Sequence, residues 1–94
     1  MKHYSGQRTI DGIVVTVDGR PLDARFDIEV YDDKGFEWGY EGSAPRQLAL
    51  AILADHLGDA DRARNAVDAF TSNVIANLDN DWTLDSTAID AALS

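Results

Sequence analysis

Cysteine is absent from this chain, which excludes disulfides, thiolate nucleophiles and cysteine-based zinc sites. A secreted domain of 94 residues often needs a covalent staple, so a cysteine-free chain points to the cytoplasm. Lysine and arginine are scarce, 8 against 17 aspartates and glutamates, and the formal net charge is −9. Such a surface repels phosphate backbones, which argues against direct binding of nucleic acid or an anionic membrane. The only histidines are His3 and His56, with no His-x-x-x-His or comparable ligand spacing, so no metal site is expected. Long apolar runs are missing too. The longest, residues 48–54, is far too short to span a bilayer, and residues 1–6 lack the apolar stretch of a signal peptide. No low-complexity tract, repeat or linker interrupts the chain, so its length implies one domain, 1–94, with a modest core.

What is present divides into two textures. Residues 4 to about 41 read as β. Ile13, Val15 and Val17 alternate with Val14 and Thr16; Phe26, Ile28 and Val30 alternate with Asp27, Glu29 and Tyr31; Phe36, Trp38 and Tyr40 alternate with Glu37, Gly39 and Glu41. Period-two patterning places one face on a core and the other in water. Asp11-Gly12 is a two-residue hairpin signal, Asp18-Gly19-Arg20-Pro21 opens a longer turn, and Asp32-Asp33-Lys34-Gly35 closes the next. The pattern predicts a three- or four-stranded antiparallel meander.

From about residue 44 to 94 the period becomes helical. Ser43 or Ala44 caps, with Pro45 in the first turn. Leu48, Ala49, Ile52, Leu53, His56 and Leu57 form a broad stripe that Leu50 and Ala54 widen, the mark of a buried helix. Gly58 is a natural stop. A second helix is predicted from about Asp61 to Leu78, and Asp79-Asn80-Asp81 breaks it. Trp82-Thr83-Leu84 is extended, and Asp85 or Ser86 caps a short last helix. Strands followed by helices imply an α+β fold, with two to three C-terminal helices on one face of the sheet.

No catalytic constellation emerges. Ser5 and Ser43 lack a base and an acid at any motif spacing. Asp79, Asp81 and Asp85 lack the glycine and terminal glutamate of a calcium loop, and helix capping explains them. His56, near a helix end, suits a dipole or carbonyl contact. The corner at residues 38–45, with Trp38, Tyr40, Gly42 and Ser43, precedes a helix N-terminus and so has a geometry that holds anions. It matches neither a Walker loop nor a dinucleotide fingerprint, and Glu41 would repel a phosphate. The strand-to-helix turn and close packing beneath Trp38 and Tyr40 account for its glycines better.

The stretch Trp38-Gly39-Tyr40, Gly42-Ser43, Pro45, Gln47-Leu48-Ala49-Leu50, continuing through 51–53, with Tyr4-Ser5-Gly6 upstream and Trp82-Thr83-Leu84 near the end, resembles a family of small prokaryotic single-domain proteins of unknown function. The resemblance covers nearly the whole chain. It implies no activity, no cofactor and no catalytic residue. Its setting in bacteria, archaea and their mobile elements makes a small acidic inhibitor, for example an anti-CRISPR-like protein, one expectation.

On this reading the sheet face away from the helices displays Asp27, Glu29, Tyr31, Glu37 and Glu41. Such a face is either solvated charge that keeps the protein dispersed or a surface for a basic protein or nucleoprotein complex, with carboxylates standing in for phosphates. The interaction reading is the leading expectation. A small-molecule or anion-binding module at the 38–45 corner is the alternative.

Overall fold

A computed structural model describes all of residues 1–94. The architecture is α+β: a four-stranded antiparallel sheet with three helices, all after the first three strands and with the fourth strand inserted before the last helix. The strands are β1 (His3–Thr9), β2 (Gly12–Val17), β3 (Arg20–Pro21) and β4 (Trp82–Asp85), arranged in the order β3-β2-β1-β4. The helices are α1 (Ser43–Leu57), α2 (Ala60–Asn73) and α3 (Ser86–Leu93), with a single 3-10 turn at Ile75–Asn77.

The first three strands form a meander. Thr9 faces Gly12 across the β1–β2 turn, so the two-residue connection is Ile10-Asp11 rather than Asp11-Gly12. The tighter glycine turn is the next one. Asp18 (φ 50°) and Gly19 (φ 81°) both adopt the left-handed region, the twist-compatible geometry of a two-residue hairpin. β4 returns from the far end of the chain to pair with β1, setting Trp82 opposite Gly6 and Leu84 opposite Tyr4. Gly6 is required there: a Cβ would meet Trp82 Nε1 at 2.4 Å.

The structure departs from the sequence expectation over 22–42. Neither the Phe26–Tyr31 nor the Phe36–Glu41 alternation is a strand, so the β part is 3–21 plus 82–85, not a continuous 4–41. Arg25 takes φ 58° and its carbonyl accepts from Ile28 N and Glu29 N, turning the chain back on itself. Phe26 and Val30 consequently stand 45% and 52% exposed, and only Ile28 of that trio packs on the core. Of Phe36, Trp38 and Tyr40, only Trp38 is fully buried. The outer face of the sheet therefore differs from the one expected. Its centre is Ser5, Gln7, Val14, Thr16 and Thr83, with no charge among them.

One side chain explains how this segment escapes the sheet. Gln47, on the second turn of α1, is wholly buried. Its Oε1 accepts from Tyr31 N (2.7 Å) and Asp32 N (3.2 Å), and its Nε2 donates to Ala24 O (2.7 Å) and Glu29 O (3.1 Å). Backbone polar groups removed from water must find partners, and here a glutamine amide does what a neighbouring strand would have done.

α1 is buried almost all round, from Pro45 to Ala54. It packs on α2 through Ala63, Val67 and Phe70, and Leu48 to Leu53 join Tyr4, Val15 and Trp82 in one core. Gly42 precedes it without a side-chain cap; the capping role expected of Ser43 or Ala44 is not taken by either. Gly58 (φ 66°) ends it as expected, and Asp59 caps α2 by accepting from Asp61 N and Arg62 N. α2 stops at Asn73, short of Leu78, and Asp85 caps α3 through Ala88 N. No helix is long and apolar enough to cross a membrane.

Gln47→Leu removes all four bonds at nearly constant volume. We expect a loss of about 3 kcal/mol in urea unfolding, several times the worth of one ordinary hydrogen bond, because buried backbone groups are left unpaired. Hydrogen exchange at Tyr31 and Asp32 should accelerate at the same time. Unchanged protection at those two amides would refute the anchoring role.

Candidate interaction surface

The residues singled out as an acidic face lie along the irregular 22–42 segment, and the structure gives them unequal roles. Asp27 is exposed and ion-paired within its own loop: Arg25 Nε and Nη2 donate to its two carboxylate oxygens at 3.0 and 3.1 Å. The hydrogen bond from Arg25 holds the Asp27 carboxyl below the usual carboxylate range. Glu29 is exposed; its carbonyl, not its side chain, is bound by Gln47. Tyr31 is half-buried, and burial, then the charges of Glu29 and Asp68, raise its phenol above the ordinary value.

Glu37, half-buried, and Glu41, exposed, are bonded to other elements instead. Glu37 Oε1 accepts from Arg8 Nη1 at 2.6 Å and from Trp38 N at 3.1 Å, and Glu41 Oε1 accepts from Ser72 Oγ at 2.6 Å. These two carboxylates fasten the segment to the sheet and to α2. The expected row of four on neighbouring strands does not form, because those strands do not exist.

What the sequence pattern hid is the company Asp27 and Glu29 keep. Phe26 and Val30, read as inward, stand exposed on the same loop, and Asp23 and Asp33 are exposed at its two ends. A φ-positive non-glycine such as Arg25 is the kind of local fold-back that alternation cannot report. The loop is not loose: Gln47 grips it at Ala24, Glu29, Tyr31 and Asp32.

The corner at 38–45 is largely committed to architecture. Trp38 is 1% exposed. Its Nε1 donates to Asp79 O at 2.8 Å, its ring meets Trp82 edge to face at 5.7 Å, and the Arg8 guanidinium lies 4.6 Å over it. Arg8 Nη2 also donates to Trp38 O at 3.0 Å. Gly39 (φ 87°) turns its N–H onto Ile75 O. Tyr40 is half exposed, and a Cβ on Gly42 would come within 2.9 Å of its ring. Ser43 Oγ donates to Asp32 Oδ2 at 3.1 Å. An open groove of about 550 Å³ lies between the β1–β2 turn, residues 32–37 and the start of α1; it touches the corner only at Ala44, and Trp38, Tyr40, Gly42 and Ser43 do not line it.

Two further polar contacts tie the layers. Tyr4 Oη donates to Asp55 Oδ2 at 2.6 Å, and Lys2 Nζ reaches the same oxygen at 3.0 Å. Burial, and then the bond to Asp55, push the Tyr4 phenol well above its ordinary value. For Asp55 burial acts upward, but the hydrogen bonds from Tyr4 and Lys2 outweigh it and the carboxyl falls below its usual range. His56 is engaged by α3, with Nε2 2.6 Å from Asp90 Oδ1, so its partner is a side chain and not the helix-end carbonyls expected.

Fold and surface together define a small α+β domain with an acidic and partly apolar loop anchored by Gln47. The chain belongs to the family described as Family of unknown function (DUF6166), matched over residues 4–94. No curated protein and no solved structure matches it. The motif noted in the sequence is architectural: Tyr4, Gly6, Trp38, Gly39, Gln47 and Trp82 each fill one of the packing or hydrogen-bonding roles just described.

Asp55 links this frame to pH. A carboxyl whose folded value is depressed contributes stability above its unfolded value, about 3.9, and that contribution is lost as pH falls through the lower folded value. Asp55→Asn should therefore flatten the acid limb of a stability-versus-pH curve below about pH 4. Urea midpoints across that range check it; an unchanged acid limb would count against the assignment.

Proposed function

We propose that this protein is a non-enzymatic interaction domain that binds a basic protein through its 23–33 loop. The observation carrying this reading is the exposure of Phe26 and Val30 on a rigid loop among Asp23, Asp27, Glu29 and Asp33. Burying these two side chains favours association, the surrounding carboxylates select a cationic partner, and a loop already held in place loses little entropy on binding. Tyr31, amphipathic and half-buried, borders the contact. With a net charge of −9, the partner class we infer is a nucleic-acid-handling protein of the cytoplasm, whose phosphate-binding surface is basic. The protein would act there as a small inhibitor by charge mimicry, in the manner of an anti-CRISPR protein.

On the loop the contact set is Glu29 and Tyr31 with Phe26 and Val30, beside the Arg25-paired Asp27; Glu37, paired with Arg8, and Glu41, bonded to Ser72, lie outside the loop. A small-molecule or anion module at the corner has less support. Trp38 and Ser43 are occupied, and no cavity opens between Trp38, Tyr40 and His56.

Immobilised wild type and a Phe26→Ser/Val30→Ser variant, challenged with nuclease-treated host lysate, test this reading. Wild type should retain a basic nucleic-acid-binding protein at low salt, release it at high salt and lose it to added nucleic acid. The variant, folded as judged by its urea midpoint, should retain it about tenfold less, as expected for loss of two interface anchors. Equal retention by both proteins would overturn the proposal.

A further inference from the structure

The groove beside the corner offers a second recognition element. Its apolar lining comes from Ile13 and Phe36, both half-buried, and its polar lining includes Asp32, Glu37 and Lys34. At the tip of the same hairpin Ile10 is fully exposed. The volume, about 550 Å³, lies within the range of side-chain and small-ligand sites, but the groove is open to solvent, which suits a side chain from a partner's surface segment better than an enclosed molecule.

Glu37 is the group that points to an occupant. Both hydrogen bonds it accepts, from Arg8 and Trp38 N, fall on Oε1. Oε2 is left without a protein partner in a side chain that is 30% exposed. Asp32 uses each oxygen once, for Lys34 N and for Ser43 Oγ, and a carboxylate oxygen accepts more than one bond. Acceptor capacity is thus left over beside the apolar side chains of Ile13, Phe36 and Ala44. Lys34 is the single cation on the lining, and its ammonium makes no ion pair.

We propose that the groove receives an arginine side chain from an extended segment of a partner protein. The aliphatic stem would lie on Ile13 and Phe36, the guanidinium would reach Glu37 Oε2 and Asp32, and a neighbouring apolar residue would cover Ile10. Arginine fits better than lysine because its planar fork donates in two directions, stacks on an aromatic ring and is less strongly hydrated. This deepens the interaction reading by naming what the partner brings, yet the groove and the 23–33 loop fail or succeed separately.

The test uses the intact protein, labelled with ¹⁵N, and the capped peptide Ala-Leu-Arg-Leu-Ala at low ionic strength. Amide shifts should concentrate at Gly12, Ile13, Phe36, Glu37 and Ala44. The citrulline analogue, equal in shape but uncharged, should produce almost none, and the lysine analogue smaller ones. Lys34→Glu, a surface change that leaves the fold intact, should tighten binding about three- to tenfold, the effect of exchanging a repulsive for an attractive rim charge. Arg64→Glu on α2 makes the same change in net charge away from the groove and should leave affinity nearly unaltered. Phe26→Ser/Val30→Ser should bind the peptide like wild type. Equal shifts with citrulline, shifts spread over the acidic surface at 59–68, or equal gains from Lys34→Glu and Arg64→Glu would each overturn the groove assignment without touching the loop reading.

Discussion

The amide of Gln47 is the constraint on which the surface of this protein depends. α1 is buried on nearly every side, and a polar residue in its second turn is tolerable only if all its hydrogen-bonding capacity is used. It is used fully, by four backbone groups spread over nine residues of an otherwise unsupported segment. That arrangement converts a helix position into a template for a loop. With Ile28 on the core and its own turn at Arg25 as further supports, the loop needs no strand neighbour and can turn Phe26 and Val30 outward.

A second fastening works on the other half of the segment. Arg8 reaches across from β1 to bind the Glu37 carboxylate and the Trp38 carbonyl while stacking on the Trp38 ring, and Trp82 meets that ring edge-on. Gly6 is the enabling position, because the strand must offer no side chain where Trp82 lies. Between the Gln47 clamp and the Arg8 clamp runs 32–37, which lines the groove. The two proposed recognition elements are therefore neighbours on one segment, each beside a clamp. Both parts of this surface segment are thus tied to the core.

Charge is distributed with the same economy. Some carboxylates serve the fold: Asp55 takes the Tyr4 hydroxyl and Lys2, Glu37 takes Arg8, and Asp59 and Asp85 cap helices. Others, such as Glu29 and Asp33, bear no comparable internal duty and stand on the segment that exposes Phe26 and Val30. A strongly negative protein gains solubility from any of them, but the second kind has more of its hydrogen-bonding capacity left over. The uncharged outer face of the sheet, with Ser5 and Thr16 hydrogen-bonded to each other, shows that the charge is not spread evenly over every exposed surface.

By itself the sequence determined the class of fold, the meander start, the buried α1, the stop at Gly58, the extended Trp82–Leu84 return and the acidic balance. Each follows from local periodicity, turn chemistry or composition, which a chain carries wherever it is placed. It also contained the motif residues, though not their jobs. Only the tertiary structure decided that Phe26–Tyr31 and Phe36–Glu41 are not strands, that Glu37 and Glu41 point to Arg8 and Ser72, and that Phe26 and Val30 are exposed. The physical reason is that alternation records which side chains prefer burial but not which group will satisfy the backbone between them. Here that group is a side chain from a helix many residues later, and no local pattern in the segment names it.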